Sequence, residues 1–109
     1  MINPQTLEDL KALDDDGSNA ILKELITLYL ETTPPKLQKM EETFKTQDVV
    51  ALRKEAHSLK SSSQNLGAET LGALAFKIEA SKDGDALAPL LDAVLKEFAV
   101  VKTELEQFL

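Results

Sequence analysis

A single histidine, His57, stands in the run Arg53-Lys54-Glu55-Ala56-His57-Ser58-Leu59-Lys60-Ser61-Ser62-Ser63-Gln64. An imidazole has an ordinary pKa of about 6.5, so near neutrality much of it is uncharged and one ring nitrogen carries a free lone pair. That lone pair is a competent nucleophile toward phosphorus. A phosphoryl group added there brings roughly −1.5 to −2 charges, which Lys60 and Arg53 could offset. Other chemistries find less support. One histidine and no cysteine leave no nitrogen–sulfur ligand set for a metal, and carboxylates alone would hold only hard cations. A Ser61–His57 pair would share a helix face, but no strand–turn–helix elbow or oxyanion hole accompanies it, which argues against a hydrolase. By residue type alone, an ordinary solvated surface histidine remains an open alternative.

The chemistry requires that His57 be presented outward, and the surrounding pattern predicts this. Apolar residues recur at three- and four-residue steps along the chain, the helical period, and no alternating run suggests a strand. In a helix from about Gln47 to Leu66, ended by Gly67, the buried stripe is Val49, Leu52, Ala56, Leu59, Ser63 and Leu66. At about 100° per residue these positions fall within an arc of roughly 100°, and His57 projects about 130° from its centre. Arg53, Ser61 and Gln64 lie within about 40° of His57 in projection, and Lys60 within about 60°.

Four further segments surround that helix. Asn3-Pro4 opens a short one to about Leu13, broken by Asp14-Asp15-Asp16-Gly17-Ser18. The next starts near Asn19, capped by Ser18 or Asn19, with a wide apolar arc of Ile21, Leu22, Leu25, Ile26, Leu28, Tyr29 and Leu30 that suggests burial on two sides. Pro34 and Pro35 should kink or interrupt it, with Thr33 restarting a face continued by Leu37, Met40 and Phe44. A segment from about Ala68 to Ser81 turns Leu71, Leu74, Ala75 and Ile78 inward, and Asp83-Gly84-Asp85 makes the following turn. The last carries Leu87, Leu91, Val94, Phe98, Val101, Leu105 and Phe108 in coiled-coil-like steps. Short loops imply antiparallel neighbours. The expected fold is all-α, an antiparallel up-down four-helix bundle with a short N-terminal helix packed across one end, in one domain over residues 1–109.

Composition sets the outer bounds. A net charge of −7 repels nucleic-acid phosphates and anionic lipid, and favours a soluble monomer. No stretch approaches the ~20 apolar residues needed to span a bilayer, and the first residues have neither the basic flank nor the apolar core of a signal peptide. Absence of cysteine fits a reducing cytoplasm. With Met1 at its start and whole helices at both ends, the chain reads as a free-standing protein.

The run Ala56-His57-Ser58-Leu59-Lys60-Ser61-Ser62-Ser63-Gln64-Asn65-Leu66-Gly67-Ala68 closely resembles the A-H-x-L-K-G-S-S-x-x-L-G-A motif of histidine-containing phosphotransfer (HPt) domains. The likeness extends over nearly the whole chain, through the proline-containing second helix and a fourth helix bearing Leu and Glu. It implies a phosphocarrier rather than an enzyme, in a two-component multistep phosphorelay. His57 would be the phosphoacceptor through Nε2, and Lys60 the cation beside it. Glu79, on the facing helix, would hydrogen-bond the imidazole or Lys60, with Gln64 a second candidate; a solvated face residue is the competing reading of Glu79.

The same resemblance implies receiver domains of response regulators as partners and a hybrid sensor histidine kinase upstream. The chain itself would need no cofactor, Mg²⁺ belonging to the receiver. Docking would use an apolar patch around the histidine. Val50 projects about 20° from His57. Arg53 and Ser61 would border the patch, and Leu7, with Leu10 or Ile2, would extend it, packing of the short helix being the competing reading for the leucines. One position departs from the motif: Ser61 replaces a glycine, adding a Cβ and a hydroxyl where the partner approaches. That departure keeps open an alternative, a receiver-binding helical adaptor that transfers no phosphate.

Overall fold

The computed structural model describes residues 2–13, 17, 19–82 and 86–109. Within them the regular elements are five helices: α1 (Pro4–Lys11), α2 (Ala20–Lys45), α3 (Val49–Asn65), α4 (Glu69–Glu79) and α5 (Ala88–Glu106). The expected breaks at Asp14-Asp15-Asp16 and Asp83-Gly84-Asp85, and the capping role of Ser18, lie outside the described residues. Each of α2, α3, α4 and α5 packs on the next, and α5 returns to α2, closing a four-helix ring with α1 against α2.

Local chemistry sets the ends of these helices. Asn3 caps α1, its side-chain oxygen accepting the Gln5 amide at 2.9 Å, and Pro4 occupies the first turn, where no amide partner is needed. Gln47 adopts a left-handed φ of 60°; its amide bonds Phe44 O at 3.1 Å and that of Asp48 bonds Thr43 O at 2.8 Å, a paired closure that ends α2. Asp48 then starts α3 by accepting the Ala51 amide at 3.1 Å. The expected start of α3 near Gln47 is therefore two residues early. At the other end Gly67, with φ 81°, donates to Gln64 O at 3.0 Å while Ala68 donates to Ser63 O at 2.9 Å, the same closure built on a glycine.

Pro34 and Pro35 do not interrupt α2, which is continuous over 26 residues. Both prolines sit on the exposed side, so their rings stay clear of the packed face, and the helix loses only the hydrogen bonds that their amides would have given to the carbonyls of Leu30 and Glu31. Thr33, Leu37 and Met40 meanwhile stay buried and hold the helix against the bundle. The wide arc expected at the start of α2 is also narrower than its sequence suggests. Leu22, Ile26 and Tyr29 are buried, whereas Leu25 and Leu28 remain exposed along a groove shared with Leu10 and Leu66. Among the described residues, short α1 is the element that covers that side.

The core runs the length of the bundle. It takes Leu52, Ala56, Leu59 and Leu66 from α3 and the turn after it, Leu71, Ala75 and Ile78 from α4, and Leu91, Val94, Phe98, Val101 and Leu105 from α5. Ser63 lies wholly buried in the same stripe, with its hydroxyl 2.8 Å from that of Tyr29, so neither buried polar group goes unpaired. Val49, expected in the stripe, is only half-buried at its start. Leu7 is 4% exposed and belongs to the core, which corrects its assignment to a docking surface: a side chain enclosed by the bundle has nothing to offer a partner.

Candidate functional site

Helices α3 and α4 run antiparallel, and beside their buried seam lies a half-exposed stripe of side-chain pairs. Arg53 Nε donates to Ser81 Oγ at 3.3 Å, His57 meets Glu79, Lys60 meets both Glu79 and Phe76, and Gln64 lies over Gly72. On α3 these residues step by four, three and four, and on α4 the steps from Gly72 to Phe76 to Glu79 are four and three. The core therefore fixes the register, and the adjoining stripe inherits it.

His57 is the exposed member, with its side chain 60% accessible, as its place on the wheel predicts. Its Nδ1 hydrogen-bonds Glu79 Oε2, while Glu79 Oε1 accepts from Lys60 Nζ at 2.8 Å. One carboxylate thus serves both the imidazole and the ammonium of the site. The Lys60 ammonium holds Glu79 below the ordinary carboxylate range; partial burial opposes this, and the bond from His57 adds to it. A Glu79 that stays ionised can only accept, so Nδ1 must carry the proton. In the neutral ring the lone pair is then on Nε2, the nitrogen left facing solvent.

Gln64, the second candidate for a partner of the imidazole or Lys60, is placed elsewhere. It stands two helical turns from His57, about 10 Å along the axis, and its chain fills the space opposite Gly72, where a Cβ would come within 2.8 Å of Gln64 Cγ. Val50 is 63% exposed and lines a shallow depression with Arg53, Lys54, His57 and Glu79. Ser61 is exposed one turn beyond His57. Phe76 went unnoticed in the sequence: its ring centroid is 5.2 Å from Lys60 Nζ and the residue is 52% exposed. Its signal was the spacing of Phe76 and Glu79, three residues apart and each one position beyond the buried Ala75 and Ile78. Among the described residues no group of three or more His, Cys, Asp or Glu side chains could hold a metal, and no helix is long and apolar enough to cross a membrane.

An outward imidazole nitrogen backed by a carboxylate and an ammonium is an arrangement suited to carrying a phosphoryl group. The Hpt domain family model matches residues 24–109, from the first turns of α2 to the end of the chain. The chain belongs to the Hpt domain family. Among solved structures, this Hpt protein is similar to the crystal structure of histidine-containing phosphotransfer protein B (HptB) from Pseudomonas aeruginosa PAO1. The TM-score is 0.85 at 25% identity, over 97% of this chain and 91% of that one. A search of curated proteins returns no significant match. With 97% of this chain covered, the match takes in α1 as well, so the short N-terminal helix is part of the shared architecture.

Proposed function

We propose that residues 1–109 form one HPt domain that works as a cytoplasmic, monomeric phosphocarrier. His57 takes a phosphoryl group from the phospho-aspartate of one receiver domain and passes it to the aspartate of another, in a relay fed by a hybrid sensor histidine kinase. The observation that carries this reading is the engagement of Nδ1 by Glu79, which leaves Nε2 as the outward nucleophile. In the transfer the Nε2 lone pair forms a bond to phosphorus as the acyl phosphate P–O bond breaks, and the receiver aspartate leaves as a carboxylate. The imidazole then bears positive charge, its Nδ1 keeping its proton and donating it in a hydrogen bond to Glu79, and Lys60 is within reach to face the phosphoryl oxygens. Reversal at a second receiver returns the ring to its starting state.

Phosphoryl transfer depends on positioning and on charge stabilisation by metal and cations. This chain contributes the nucleophile, its tautomer and one lysine, and Mg²⁺ on the receiver supplies the rest. The apolar exposure of Val50 beside His57 suits the docking of such a partner, with Arg53 and Ser61 at its border. The test is to incubate the protein with a phosphorylated receiver and follow the label. An acid-labile, alkali-stable label that disappears in His57→Gln supports the reading. Receiver binding without any label would mark the chain as an adaptor instead.

A further inference from the structure

Lys60 is held from two sides. Its ammonium bonds Glu79 Oε1 at 2.8 Å and stands 5.2 Å from the centre of the Phe76 ring. Phe76 and Glu79 lie one turn apart on α4 and form the two walls of a slot, which accounts for a lysine side chain only 21% exposed at the edge of the bundle. The ring gives up burial to stand there, being 52% exposed.

The proposed transfer makes unequal demands on the two walls. Once Nε2 carries phosphate, the ring is cationic at Nδ1–H and needs the Glu79 carboxylate where it is. Lys60 is then the group that turns, exchanging Glu79 Oε1 for the phosphoryl oxygens. An ammonium that leaves a carboxylate in water is ordinarily hydrated and swings free. Over an aromatic face it stays attracted by the ring quadrupole, and that attraction has no fixed hydrogen-bond direction. We infer that Phe76 is a positioning residue, keeping Lys60 beside His57 while its hydrogen bond passes from Glu79 to the phosphoryl group. This role rests on His57 being the phosphoacceptor.

The experiment compares Phe76→Leu, which keeps apolar surface but removes the ring, with Phe76→Tyr, which restores a ring. Both are measured in single-turnover transfer from a phosphorylated receiver over a range of receiver concentrations. Phe76→Leu is expected to lower the rate at saturating receiver by about two- to fivefold, with little change in the concentration giving half the maximal rate. Phe76→Tyr should recover the wild-type rate. In a Lys60→Met background, with the helical fold checked by circular dichroism, Phe76→Leu should add no further loss. An unchanged saturating rate with weaker half-saturation would make Phe76 a docking residue only and overturn the inference. An equal loss with and without Lys60 would overturn it too. No label on wild-type His57 removes the phosphocarrier reading and this role together, whereas label on the wild type with an unimpaired Phe76→Leu removes only the role of Phe76.

Discussion

The inner face of α5 and the outer stripe of α3 are built on the same stepping and do opposite things. On α5, Leu91, Val94, Phe98, Val101 and Leu105 are all buried, each locked by neighbours that tolerate little change of volume. On α3, Arg53, His57, Lys60 and Gln64 keep the same spacing at the solvent boundary, where their partners are a hydroxyl, a carboxylate, an aromatic face and the gap over a glycine. Contacts of the first kind are made once, on folding. Those of the second kind can be broken and remade while the backbone stays still. Stability and chemistry are thereby placed on separate stripes of one lattice of helices.

That separation can be broken by experiment. Leu105→Ala removes a fully buried side chain and should cost about 2–5 kcal/mol in denaturant unfolding, with the folded fraction still taking label at the normal rate. A parallel loss of transfer in the folded protein would show the two stripes to be coupled. Lys60→Met should do the reverse, slowing transfer by about ten- to a hundredfold, the range for losing a hydrogen bond to a charged group, with the unfolding midpoint nearly unchanged. Val50→Asp should weaken receiver binding by up to about tenfold without altering the fold. Unaltered affinity in calorimetry would take Val50 out of the docking surface.

The smallest effect is the most local. Glu79 is held below its ordinary value, so its pairing contributes fully above the unfolded-state pKa and is lost as pH falls through the folded one. Carboxyl NMR should place its midpoint below 4.5 in the wild type and move it upward in Lys60→Met. A midpoint indifferent to Lys60 would contradict lysine as the main cause.

Much of this was legible in the sequence because α3 is regular: Leu52, Ala56, Leu59 and Ser63 define its inner face, and His57 must then point out. Glu79 could be named from resemblance, but the sharing of one carboxylate between Nδ1 and Lys60 depends on the register of two helices, which a single helix does not contain. Pro34 and Pro35 misled for a similar reason, since a proline is better tolerated where its ring stands on the exposed side and the opposite face, here Thr33, Leu37 and Met40, is firmly packed. Leu25 and Leu28 read as buried because apolarity is visible in a sequence, whereas the shortness of what covers them is a tertiary fact. Phe76 lies between the categories, too exposed for the core and without the polarity that draws attention to a site.

Gly67 ties the far end of the bundle to the helix that carries His57. Its carbonyl receives the Asn3 amide at 2.7 Å, and a Cβ there would stand 2.8 Å from Thr6 Cβ, at a φ of 81° that side chains rarely adopt. A methyl group at this position would thus strain the backbone and push α1 off its seat in one stroke. Hydrogen exchange would register the damage as water reaching beneath Leu7, in a segment that contributes no atom to the chemistry.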